Sequence, residues 1–307
     1  MQTTSHILMI RPVAFGLNIQ TADSNAFQKR TAPQEKVQEK ALAEFDAFVA
    51  KLRGHGIEVT VIEDTVEPHT PDSIFPNNWI SFHEDGSIYL YPMQAENRRL
   101  ERREDIIDQI GKNFDIREIN DLSFTEEKGQ YLEGTGSLVL DRENKLAYAC
   151  LSIRTQEKVL DIFSKESGYE AITFHAVDEN GMDIYHTNVM MCVGDHFVVI
   201  CLEAIPDEKE KNAVIESIQK TKKELIEISF AQMNQFAGNM LQVKNKEGKS
   251  FLVMSERAHQ SLNPRQLESI TKYAEILSSP LTVIEDNGGG SARCMMAEIH
   301  LPELGLR

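Results

Sequence analysis

Five short polar segments recur along this chain at an almost constant interval, each set in or beside an apolar, strand-like run. They are Phe75-Pro76-Asn77-Asn78-Trp79, Leu132-Glu133-Gly134-Thr135-Gly136, Tyr185-His186-Thr187-Asn188-Val189, Phe236-Ala237-Gly238-Asn239-Met240 and Asn287-Gly288-Gly289-Gly290-Ser291-Ala292-Arg293-Cys294. With Asn78, Glu133, His186, Asn239 and Cys294 as markers, the intervals are 55, 53, 53 and 55 residues. A fixed period in this range is the mark of a repeated supersecondary unit.

Each unit reads alike. A β-rich run follows the marker (Ser137–Leu140, Val189–Val193, Met240–Val243), then a second strand (Ala147–Cys150, Phe197–Cys201, Ser250–Met254). Apolar residues at helical spacing predict helices over Gln156–Lys165, Asp207–Lys223 and Asn263–Leu277. A last strand leads to the next marker: Tyr169–Phe174, Glu224–Ser229, Leu281–Ile284. Asn263-Pro264 is a helix start, with Asn as cap and Pro at the first helical position. Strands at Ile7–Ile10 and Ile57–Val61 flank a helix at Gln34–Leu52 and complete the count. Five ββαβ units closing on themselves give an α/β propeller, a ring of small sheets with few open edges. The polar tags then meet at a central channel. No low-complexity linker divides the chain, so residues 1–307 are expected to form a single catalytic domain.

Composition narrows the function classes. A formal charge of −16 argues against nucleic-acid binding, which needs a basic face. The basic cluster Arg98-Arg99-Leu100-Glu101-Arg102-Arg103 is interleaved with acid and is expected mostly on a solvated helix face. No apolar run reaches membrane-spanning length, and Met1–His6 does not open like a secretory signal. Cys150, Cys192 and Cys201 fall in apolar runs without paired spacing, as expected of reduced core residues in a cytoplasmic protein. No HxH, HExxH, P-loop or GxGxxG pattern sits in the right context, so no metal and no cofactor is expected. His83, His175 and His259 are expected to be surface or structural residues.

The markers together describe a nucleophilic site. Cys294 follows a Gly run able to take positive φ and to let other groups approach closely. A thiol attacks as thiolate and needs a cationic or polar neighbourhood, which His186 can supply while moving protons to and from the reacting groups. Glu133 can hold the imidazole or a substrate N–H.

At these residues the chain resembles the guanidino-group-modifying enzymes: arginine deiminases, dimethylarginine hydrolases and amidinotransferases of the pentein fold. The resemblance runs through Pro71-Asp72-Ser73-Ile74-Phe75-Pro76-Asn77-Asn78, Leu132–Gly136, Ser152-Ile153-Arg154-Thr155, His186-Thr187-Asn188, Gly238–Leu241 and Gly289–Met295. It implies a five-bladed α/β propeller with Cys294 as nucleophile, His186 as acid/base and Glu133 as its carboxylate partner. It further implies Asp72 as a substrate-binding acid, and Arg154 and Arg98 as holders of a substrate α-carboxylate. Arginine-processing members carry acids where this chain has Asn78 and Asn188. A guanidinium offers only donors, whereas Asn77, Asn78 and Asn188 suit a neutral ureido group with both C=O and N–H. The chain is most similar to citrulline-utilisation hydrolases, through Arg11-Pro12, Asn18, Asn25 and Phe27 as well. The expected ligand is therefore a small molecule, citrulline or an arginine derivative, with ornithine, carbon dioxide and ammonia as products. A guanidine hydrolase, an amidinotransferase and a non-catalytic binding protein of this fold are the alternatives. The sequence leaves open whether the chain forms a homo-oligomer.

Overall fold

In the computed structural model, which describes residues 1–22, 25, 27–28 and 34–305, the period becomes geometry. Strands β1 (His6–Arg11), β2 (Glu58–Glu63), β3 (Ile80–Phe82), β4 (Ser87–Leu90), β5 (Glu118–Asp121), β6 (Val139–Asp141), β7 (Leu146–Cys150) and β8 (Glu170–Phe174) fill the first part of the chain. They continue with β9 (Met191–Val193), β10 (Phe197–Ile200), β11 (Glu224–Glu227), β12 (Leu241–Lys244), β13 (Ser250–Ser255), β14 (Glu275–Ser279) and β15 (Ala297–Ile299). They form five three-stranded sheets, β3-β4-β5, β6-β7-β8, β9-β10-β11, β12-β13-β14 and β15-β1-β2. In each, the middle strand runs antiparallel to the first and parallel to the third. A parallel neighbour needs a crossover. It is supplied by helices α1 (Gln34–Gly54), α2 (Glu104–Gly111), α3 (Glu157–Ser167), α4 (Glu208–Lys220) and α5 (Pro264–Thr271). The chain is a five-bladed α/β propeller of ββαβ units.

The fifth sheet closes the ring, because β15 pairs with β1 in the register His6↔Ile299 to Leu8↔Ala297. The first strands of neighbouring units pack on one another, β15 with β3, β6 with β9 and β9 with β12. Middle strands carry the apolar load: Phe197, Val198, Val199 and Ile200 are fully buried, as are Leu252, Val253 and Met254. Each such large side chain contributes about 1.5–3 kcal/mol by leaving water.

The tags sit on helical turns just before the first strands, at Pro76–Asn78, Gly134–Ser137 and Thr187–Val189. Hydrogen bonds link consecutive turns. Thr135 Oγ1 donates to the Asn77 carbonyl (3.3 Å), Thr187 Oγ1 to Ser137 O (2.6 Å) and Asn239 Nδ2 to Asn188 O (2.9 Å). The Arg293 N–H donates to Asn239 Oδ1 at 3.1 Å.

Two expected elements are wrong in type. The predicted helix Asn263–Leu277 stops at Thr271, and the strand expected at Leu281–Ile284 lies earlier, at Glu275–Ser279. Ile270, Ala274 and Leu277 are all buried and sit at i, i+4, i+7, so a helix end followed by a strand imitates one helical face. Residues Thr282–Gly288 instead form a helix, α6, despite β-branched Thr282, Val283 and Ile284. Its start is held from outside: the Glu44 carboxylate on α1 accepts the N–H groups of Val283 (3.0 and 3.1 Å) and Ile284 (3.1 Å). An anion at a helix N-terminus satisfies donors that have no partner within the helix.

Candidate active site

The turn bearing Cys294 is fixed at both ends. Gly289 has φ +67°, and a Cβ there would come within 2.4 Å of Asn25 Nδ2, so no side chain fits. Ser291 Oγ donates to Glu285 Oε1 at 2.6 Å, and the Ser291 carbonyl accepts the Cys294 N–H at 3.0 Å. The sulfur of Cys294, a residue 6% exposed, accepts two amide N–H groups, Asn188 Nδ2 at 3.3 Å and Asn239 Nδ2 at 3.2 Å. Because Asn239 Oδ1 is taken by the Arg293 N–H, its NH2 end must face the sulfur. Donors aimed at one atom stabilise negative charge that develops there.

Beside it, His186 Nε2 lies 2.7 Å from Glu133 Oε2, both fully buried. Burial opposes ionisation of Glu133, yet Arg154, the His186 hydrogen bond and Arg98 together hold it down at about 2. Burial, reinforced by Arg154 and Arg98, holds His186 at about 4 against the pull of Glu133. The imidazole is therefore neutral near pH 7, which makes it the polar rather than the cationic neighbour of the thiol. Glu133 as carboxylate only accepts, so Nε2 carries the proton and Nδ1 keeps its lone pair. A Cβ on Gly136 would meet Asn78 Nδ2 at 2.3 Å and His186 Nδ1 at 2.8 Å, so glycine lets both groups lie close over this backbone.

Asp72, Asn78, Arg98, Arg154, His186 and Cys294 line one pocket, with Tyr185 and the glycine turn. Arg154 is buried over the Tyr185 ring (4.9 Å), with Nη1 3.6 Å from Glu133 and Nη2 donating to Thr21 O. Asp72 Oδ2 accepts from Asn18 Nδ2 at 2.7 Å, and Oδ1 has no partner among the described residues. Burial raises the Asp72 carboxyl, with Arg98 opposing. Asn78 Oδ1 accepts from Arg98 Nη1 at 2.9 Å, while its Nδ2, like Asn188 Oδ1, is buried with no partner among the described residues. Asn77 is wholly buried with neither side-chain polar atom partnered among the described residues, and it does not line this pocket.

A family model described as N,N-dimethylarginine dimethylhydrolase, eukaryotic, matches residues 11–301. The chain belongs to that family. With it comes the pentein guanidino-modifying superfamily. No curated protein matches the sequence. Among solved structures, cyanobacterial ArgZ, an arginine dihydrolase, is similar at TM-score 0.75 and 16% identity, covering 98% of this chain and 41% of that one. The chain thus spans about two fifths of full-length ArgZ. It matches the ArgZ N-terminal domain bound to substrate over 97% of this chain and 99% of that one (TM-score 0.75, 17% identity). A Pseudomonas aeruginosa DDAH complexed with citrulline is similar at TM-score 0.65 and 13% identity over 97% and 100% of the two chains. At these identities the likeness is one of fold.

Within this dimethylarginine dimethylhydrolase frame, some site residues escaped sequence reasoning. Asn239 was only a period marker, yet it touches the sulfur, and the period itself was the signal for it. Tyr185, whose hydroxyl donates to the Gly289 carbonyl at 2.7 Å, had none beyond adjacency to His186. The cluster 98–103 is not a solvated face: Arg98 and Glu101 are buried, and Arg102 pairs with Glu126 at 2.6 Å. Arg98 also departs from the role of carboxylate holder, because its donors are turned to Glu101, Asn78 and the Phe75 carbonyl. Among the described residues, no group of His, Cys, Asp and Glu gathers in metal-binding array, and no helix is long and apolar enough to cross a membrane.

Proposed function

We propose that this chain, as one catalytic domain over residues 1–307, hydrolyses the ureido group of citrulline to ornithine, carbon dioxide and ammonia. The observation that carries the reading is the polarity of Asn78. Arg98 has no acceptor, so Asn78 must give it Oδ1, which leaves its Nδ2–H buried over Gly136 without a partner among the described residues. A ureido carbonyl can accept that N–H, whereas a guanidinium cannot. Leaving a buried donor unpaired costs about 1–3 kcal/mol, which favours the carbonyl ligand. Arg154 then takes the α-carboxylate, while Asn188 acts on the sulfur through Nδ2.

In the reaction His186 Nδ1 takes the Cys294 proton. The sulfur attacks the ureido carbon, and His186 returns the proton to the side-chain nitrogen as that C–N bond breaks. Ornithine leaves and a Cys294 S-carbamoyl intermediate remains. Water, deprotonated by His186, displaces the sulfur, and the carbamate breaks down to carbon dioxide and ammonia. Thiol, imidazole and water balance every step without a cofactor. All four cysteines are free, as suits a cytoplasmic enzyme. A second reading, arginine as substrate, is favoured by Asp72 Oδ1, a buried acceptor without a partner, and by the activity named for ArgZ.

Purified protein given citrulline or, separately, arginine separates the readings by assay of ornithine, citrulline and ammonia. Ornithine from citrulline is expected. Turnover of arginine with none of citrulline would overturn the ureido reading.

A further inference from the structure

Arg98, 2% exposed on the short helix Glu96–Arg99, spends nearly all its hydrogen-bonding capacity inside the protein. Nε and Nη2 make a fork to Glu101 Oε1 (2.9 Å) and Oε2 (3.0 Å). Nη1 donates to Asn78 Oδ1 at 2.9 Å, and Nη2 also reaches the Phe75 carbonyl at 3.4 Å. A guanidinium has five N–H donors. The one left over is on Nη1, which lies 3.9 Å from Glu133 Oε2. A bidentate clamp on a substrate carboxylate needs two parallel donors, so Arg98 is not free to make one.

Asn78 can face the pocket with either end of its amide, and the end presented decides what it recognises. The fork to Glu101 holds the guanidinium plane, and the guanidinium can donate only to the oxygen end of Asn78. We infer that the Glu101–Arg98 pair is a specificity-determining positioning device: it locks Asn78 with its N–H toward the ligand and so selects a carbonyl-bearing ureido group over a guanidinium. This rests on the ureido reading and adds a residue, Glu101, that touches no substrate.

Glu101→Gln breaks the fork, because the new NH2 cannot donate to a guanidinium. Arg98 can then turn toward Asp72, 3.7 Å away, or Glu133, and Asn78 is released to rotate. Charge and lock predict opposite results. Removing one negative charge repels a guanidinium and raises the preference for citrulline, whereas losing the lock lowers it. Glu101→Asp keeps the charge and shortens the reach, isolating geometry.

The test measures Kd for citrulline and arginine by calorimetry on Cys294→Ala protein, alone and with each Glu101 change. It is run near pH 8, since burial pushes Glu101 up to about 7 despite Arg98. The citrulline preference should fall about tenfold or more in both variants, the worth of one unsatisfied buried polar group. A preference unchanged or increased in Glu101→Asp overturns the positioning role and leaves the ureido reading intact. A parent that prefers arginine overturns both.

Discussion

Protonation at single residues in the pocket is a contest between lost solvation and pairing: burial prevails at His186 and Asp72, pairing at Glu133. The His186 base form exists down to about pH 4, so the fall of kcat/KM on the acid side is expected below pH 5. Protonation removes the base, so the rate drops as pH falls through about 4. A limb centred near 6.5 in the kcat/KM profile would show that His186 is not the base. The same group is linked to stability. Its folded pKa is below the ordinary histidine value of 6.5, so its contribution is full above 6.5 and lost as pH falls through about 4. His300, also held at about 4 by burial and Arg142, acts in the same window. Glu133, held at about 2, loses its contribution only below about 4.5. That Glu133, His186 and Cys294 come together could be read from the sequence. The neutral state of His186 could not, because it depends on burial beside Arg154 and Arg98, which come from distant parts of the chain.

At the scale of elements, α6 shows where sequence reading fails. Its β-branched start resembles a strand, and the carboxylate that holds it comes from Glu44, more than two hundred residues away. Glu44→Ala removes the acceptor for two N–H groups of the first turn. It should lower stability by about 1–2 kcal/mol, read as a lower denaturation midpoint at unchanged slope. An unchanged midpoint would mean that water satisfies those groups equally well. Helices α4 and α5 were legible because their caps are local. Asp207 accepts from Lys209 and Glu210 N–H, and Asn263 forms a capping box with Gln266. Boundaries near the tags were less so: Ser137 and Val189 read as strand but sit on helical turns that present the site residues.

For the whole molecule, the period carried most of the topology, because a repeat whose units bury each other's edges has few ways to close. The β15–β1 pairing brings both chain ends to one side of the fifth sheet, since His6 faces Ile299. A circular permutant, joined by a short linker between those ends and opened at the exposed Lys246–Lys249 turn, should keep its far-UV spectrum and melt in one transition. A broad, multistep melt would mean that the present chain ends are needed for closure. The same pairing has a consequence for a chain being synthesised. Glu133 emerges first, then His186, then Cys294, and the sheet strand that follows the thiol is the one that completes the circle. Until it docks, the unfinished polypeptide lacks the assembled arrangement around its sulfur. The ring around the pocket is thereby left open in any product that stops short of β15.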